Sequence, residues 1–343
     1  MDAFQRVAAS HELIFPMKIL LPLSLFLSAL NFCVSGLWAA TSPDVVVAAD
    51  GSGQYKTVQE AISSAPQQIA PGKFWTILVK PGTYAEIVYV QRERGHIRLV
   101  GEDAETTKIT GSLAAKTLGP DGKPLGTFRT ATVQIDADNF IVEKITFENA
   151  AGAVGQALAI RVDGDRVVFR DCRFLGWQDT ILVNRGRHYF QNCFIAGATD
   201  FIFGAATSYF DGCTIRCDGN GYITAASTPP EQTCGLIFAH CKISGSKADV
   251  RAYLGRPWRP FAMTVFFDCE MSNVVRPEGW HNWGKIENEK TSRYAEHANT
   301  GNGAAAEKRV GWARRLSPTD LAELTVEKVL AGNDGWKPAA DIP

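Results

Sequence analysis

Asp179, in Gly176-Trp177-Gln178-Asp179-Thr180, and Asp200, in Thr199-Asp200-Phe201-Ile202-Phe203-Gly204, lie 21 residues apart, and so do Cys172 and Cys193. Each aspartate therefore follows its own cysteine by seven residues. The cysteines belong to a recurring Phe-x-x-Cys marker at Phe169/Cys172, Phe190/Cys193, Phe210/Cys213, Phe238/Cys241 and Phe266/Cys269. If each repeat is one turn of a coil of strands, the two carboxylates stack on adjacent turns, roughly 4.8 Å apart. Carboxylates that close resist ionising together, so one holds a proton while the other stays charged. That split provides one acid and one nucleophile or base. It points to an enzyme.

The same register recruits a third coil. Gln156-Ala157-Leu158-Ala159-Ile160 aligns with Gln178-Asp179-Thr180-Ile181-Leu182 at an offset of 22. Gln156, Gln178, Asp179 and Asp200 should converge on one exposed face, where neutral amide donors suit a developing oxyanion. Farther on, Tyr253-Leu254-Gly255-Arg256-Pro257-Trp258 supplies a guanidinium that can grip a carboxylate through two hydrogen bonds. Its indole can stack on a sugar ring. The histidines have no paired spacing for a metal, and no cofactor is called for.

These residues need a rigid repeating frame. Successive marker cysteines are 21, 20, 28 and 28 residues apart, periods that indicate a solenoid. Short strands such as Val167-Val168-Phe169 and Leu236-Ile237-Phe238 recur between glycine or asparagine turns. The expected fold is all-β: a right-handed parallel β-helix with three strands per coil. The longer coils carry inserted loops, as at Ser227-Thr228-Pro229-Pro230-Glu231. Thr57 to Ile62 has helical spacing and would cap the open N-terminal end, which otherwise exposes apolar surface and strand edges. Ser317-Pro318-Thr319-Asp320 reads as a helix start, and the helical tail that follows should pack along the solenoid.

The 343 residues are 45% hydrophobic and 21% charged, with a formal net charge of −1, so neither a nucleic-acid footprint nor an anionic membrane partner is indicated. Met17-Lys18 and the apolar run from Ile19 to Leu27, followed by small residues, describe a secretory signal. The expected organisation is a leader over 1–40 with Met17 as its start, and one β-helix domain over 41–343. No long pro-region is expected ahead of the first coil. The product would be exported to the extracellular space, or to the periplasm in a Gram-negative cell, with no membrane association after cleavage. The five marker cysteines read as a ladder of small buried side chains. Cys217 and Cys234 break that register and are the disulfide candidates in an oxidising compartment.

Taken together, the motifs resemble those of the pectinesterases, secreted β-helix esterases acting on methylated polygalacturonate. Seven ordered pieces carry the resemblance: Asp50 to Gly53, Gly82-Thr83-Tyr84-x-Glu86, the Gln156 segment, Gly176 to Thr180, Gly197 to Gly204, Gly255 to Trp258, and Trp280-His281-Asn282-Trp283-Gly284. They span essentially the whole chain after the leader. The resemblance implies that Asp200 is the nucleophile, kept ionised by Arg256, and that Asp179 is the acid and later the base. It implies that Gln156 and Gln178 stabilise the oxyanion, while Trp258 and Phe203 line the sugar groove. Trp280 is a further substrate-binding candidate, set against a place in the core. The implied partner is methylated homogalacturonan, acted on by a monomer without cofactor. Trp177 and Ala198 stand where the family often has tyrosine and valine. Rival readings are a retaining glycoside hydrolase with the same carboxylate pair, a calcium-dependent lyase, a thioesterase-like member, or a non-catalytic carbohydrate-binding solenoid.

Overall fold

The computed structural model describes residues 42–340. The leader expected over 1–40, with Met17 and Cys33, lies outside them. The chain winds as a right-handed parallel β-helix. Strands pair in parallel from one coil to the next in two hydrogen-bonded sheets of 11 and 13 strands among the described residues. The larger sheet wraps two faces of the coil, because the long strands Phe194–Gly204 and Thr214–Ala226 run across the corner between them.

The marker has a physical basis. The residue just before each marker cysteine turns the chain with a left-handed φ: Asp171 52°, Asn192 53°, Gly212 63°, His240 55° and Asp268 51°. Asp, Asn and Gly tolerate that conformation best. The marker phenylalanines point inward and stack, with centroids 4.7, 4.4, 4.5 and 4.3 Å apart from Phe169 through Phe190, Phe210 and Phe238 to Phe266. Each fully buried ring contributes about 1.5–3 kcal/mol over leaving it exposed. Each thiol then donates to a carbonyl of the preceding coil, as Cys193 does to Phe169 (3.6 Å) and Cys213 to Phe190 (3.5 Å). The ladder of buried thiols is present as expected.

The expected Cys217–Cys234 disulfide is not. Both cysteines are free. Cys217 lies inside the coil, on the inward side of its strand, whereas Cys234 packs on the outer surface beside Met263 and Leu316. Closeness along the chain does not put two side chains on the same side of the sheet wall.

A helix, Val58–Ser64, closes the N-terminal end with Val58, Ala61 and Ile62 buried. The Thr57 hydroxyl caps it by accepting from Glu60 N–H. The Glu86 carboxylate accepts from the N–H groups of Val58 (2.8 Å) and Gln59 (3.0 Å), a favourable charge at a helix start. At the other end, Pro318–Ala322 begins at the expected helix start, where Ser317 and Asp320 form a capping box, and Val326–Leu330 follows it. Leu324, Val329, Leu330 and Trp336 cover an apolar strip on the outside of the 11-stranded sheet formed by Ile141, Val168, Tyr189, Tyr209, Ile237 and Val265. Arg187 fastens the tail, donating to the carbonyls of Leu330 and Ala331 (both 3.0 Å) and pairing with Asp334 at 2.6 Å.

Candidate active site

Backbone pairing sets the site. Gln156 bridges to Gln178, and Gln178 to Thr199, in parallel register, so Asp179 and Asp200 occupy the next position on adjacent coils. Asp179 N–H donates to Thr199 O at 3.1 Å. Both aspartates have left-handed backbone, φ 62° at Asp179 and 50° at Asp200, in the corner between two faces of the coil. Both are nearly covered, at 8% and 5% exposure. They sit on the floor of a cleft of about 320 Å³ together with Gln156, Gln178, Phe203 and Arg256. Its walls are Thr127, Phe128, Trp258, Trp283 and Ala225.

Arg256 follows the strand Ala252–Gly255, and its own N–H donates to Thr224 O at 3.0 Å. Gly255 permits this approach: a Cβ there would meet Thr224 Oγ1 at 2.0 Å. The guanidinium grips Asp200 through two bonds, Nε to Oδ1 at 2.9 Å and Nη2 to Oδ2 at 2.6 Å. Tyr222 and Trp283 each hold a ring centroid 3.8 Å from its central carbon.

The two carboxyls are held differently. Burial, reinforced by the neighbouring Asp200, pushes Asp179 up to about 8, and Arg256 only partly offsets this. Burial raises Asp200 too, but there the hydrogen bonds and charge of Arg256 act directly against it. A proton shared by the pair therefore resides on Asp179 at neutral pH, while Asp200 keeps the charge. The arrangement offers a desolvated carboxylate nucleophile, an adjacent proton donor and two amide side chains beside them. This is a constellation for acyl transfer.

An aromatic wall stands beside it. Trp258 lies 6.5 Å from Phe128 and 5.8 Å from Phe203 between ring centroids. Trp280 does not belong to this wall, which corrects its candidacy as a substrate contact. It is 1% exposed, packs against Tyr294 with the rings tilted by 37° at 4.5 Å, and donates from Nε1 to Glu296 at 3.0 Å. Trp283, three residues later, reaches the cleft instead. Tyr222 and Phe128 were also missed. Phe128 comes from a short 3-10 turn, Thr127–Arg129, in an insertion with no repeat register. Trp283 could have been found from its place in the Trp280–Gly284 motif.

A family model described as Pectinesterase matches residues 44–333. Pectinesterase 31 of Arabidopsis thaliana is 40% identical over 288 residues, covering 81% of this chain and 89% of its own length. The probable pectinesterase/pectinesterase inhibitor 21 of the same plant is 37% identical, and the match covers 89% of this chain but only 47% of that longer protein. Among solved structures, a pectin methylesterase from carrot superposes with a TM-score of 0.80 at 36% identity, over 88% of this chain and 97% of that one. A pectin methylesterase in complex with a hexasaccharide superposes with a TM-score of 0.74 at 30% identity, over 87% and 99%.

Proposed function

The chain belongs to the pectinesterase family, and from that premise and the site geometry we propose a pectin methylesterase that works through a covalent intermediate on Asp200. The observation that carries this reading is the pairing of unlike carboxyls: Asp200 held by two bonds from Arg256, beside Asp179 with its proton retained by burial.

In the first half-reaction an Asp200 oxygen attacks the methyl-ester carbonyl carbon of a galacturonate unit. The carbonyl oxygen takes up the negative charge and faces the amides of Gln156 and Gln178. The intermediate collapses by breaking the bond to the methoxy oxygen, which takes the Asp179 proton and leaves as methanol. An anhydride now joins the Asp200 carboxyl to the sugar. In the second half Asp179, ionised, accepts a proton from water as that water attacks the sugar's acyl carbon. The bond to Asp200 breaks, restoring its carboxylate and leaving a free galacturonate carboxyl.

Trp258, Phe203 and Phe128 provide apolar faces on which sugar rings can lie. A hexasaccharide bound to a structural relative is the kind of ligand that this aromatic wall suits. We place the enzyme outside the cell after removal of a leader, as a monomer acting on methylated homogalacturonan. Incubation with highly methylated pectin should release methanol without creating new reducing ends. New reducing ends without methanol would favour a glycoside hydrolase and overturn the reading.

A further inference from the structure

Arg256 must do more than carry a positive charge. Its two bonds to Asp200 use one edge of a planar group and require that plane to stay in line with the carboxylate. An arginine has four side-chain torsions, and among the described residues Asp200 is the one side chain that its Nε and Nη2 donors bond. Something else has to fix the plane.

Two aromatic rings do so. The centroids of Tyr222 and Trp283 are both 3.8 Å from the guanidinium carbon. A planar cation has two faces, and two rings that close cannot share one, so Arg256 is clasped between them. Stacking of this kind attracts the cation electrostatically and also strips water from it. Only the edge remains to bind, and Asp200 occupies it.

The clasp is itself braced. Tyr222 pairs with Thr199 in the strand register, one residue before Asp200, and stacks on Tyr253 at 5.4 Å and 12°. Trp283 has a left-handed φ of 65°, an uncommon conformation for a bulky residue. Its N–H donates to His281 Nδ1 at 3.0 Å, and the His281 ring packs on Tyr222 (5.5 Å) and Tyr253 (5.4 Å). One histidine thus ties the two jaws together. Neither jaw's fixation needs substrate.

We propose that Tyr222 and Trp283 are positioning residues that orient Arg256 toward Asp200, with His281 bracing both. This rests on the pectin methylesterase reading and deepens it. The ionisable groups facing Asp200 are Asp179 and Arg256, with Tyr294 buried in the core nearby. A loosened guanidinium stabilises the Asp200 carboxylate less, so the nucleophile needs a higher pH to ionise.

The test is Tyr222→Leu against Tyr222→Phe, with methanol release followed across pH and folding checked by circular dichroism. Tyr222 does not line the cleft, so a sugar contact is not being removed. Tyr222→Leu should lower kcat about tenfold, equivalent to about 1.4 kcal/mol, with KM within about threefold of wild type. Its acid limb should move to higher pH, and Tyr222→Phe, which keeps a ring face, should restore both. An unmoved acid limb, or a change in KM alone, overturns the clasp. If Tyr222→Leu does not fold, Trp283→Leu is read on the acid limb alone, since Trp283 also lines the cleft and its loss changes KM in its own right; an unmoved limb there overturns the clasp. Wild type assayed alongside separates the two ideas, since no methanol from wild type sinks the reaction assignment itself.

Discussion

Asp179 and Asp200 share one backbone conformation, left-handed with φ 62° and 50°, at equivalent corners of adjacent coils. The same conformation that turns the chain lifts both carboxyls onto a common floor. Left-handed backbone is costly for most residues, but Asp and Asn adopt it readily. The corner thus selects, on conformational grounds, the side chains that the chemistry also needs.

Asp200→Asn and Asp179→Asn should therefore both fold, since asparagine suits the corner. Each should lose methanol release by about three orders of magnitude or more, because an amide neither attacks nor cycles a proton. Retention of more than a few per cent of wild-type kcat by Asp200→Asn would remove it from the nucleophile's role.

Asp179 also links stability to pH. Its carboxyl is raised from the ordinary 3.8 to about 8 in the fold, so the native state binds an extra proton between those values. The stability this contributes is complete below the unfolded value and is lost as pH rises through about 8. Asp179→Asn does not titrate, so its melting temperature should gain on wild type between pH 4 and pH 8. Each kcal/mol recovered raises Tm by about 1.5 °C for a folded domain of about 300 residues. Parallel melting curves for the two proteins across that range would contradict the assignment of the buried proton.

Arg256→Lys keeps a charge and loses the planar fork. It gives up both the two-bond grip on Asp200 and the stacking on Tyr222 and Trp283. The expected result is a fall in kcat of about a hundredfold with KM little changed. Equal activity would mean that charge alone suffices.

The cysteines give a direct count. With Cys217 inside the coil and Cys234 outside it, thiol titration of residues 42–343, denatured and unreduced, should find all seven: Cys172, Cys193, Cys213, Cys217, Cys234, Cys241 and Cys269. Five would restore the bridge that the structure denies.

The solenoid and the carboxylate pair were legible because a coil repeats its physics. The left-handed corner, the inward phenylalanine and the thiol under a carbonyl recur at each turn, and Asp179 and Asp200 inherit that register. What sits on the insertions was not legible. Phe128 and Trp283 lie on loops with no counterpart in neighbouring coils, and Tyr222 lies beyond a break in the pairing of its strand. Trp280 and Trp283 are alike in type and close in sequence, and only the path of the loop sends one inward and the other to the cleft. Cys217 and Cys234 failed for the same reason: spacing along the chain says nothing about which side of a sheet wall a side chain occupies.

The tail fastened by Arg187 has a consequence for biosynthesis. Ile141, Val168, Tyr189, Tyr209, Ile237 and Val265 form their strip as the coils are laid down, yet Leu324, Val329, Leu330 and Trp336 emerge from the ribosome after all of them. Throughout synthesis the nascent solenoid carries a greasy flank whose cover has not yet been made. Until Leu324 to Trp336 arrive, that flank leaves the chain open to self-association.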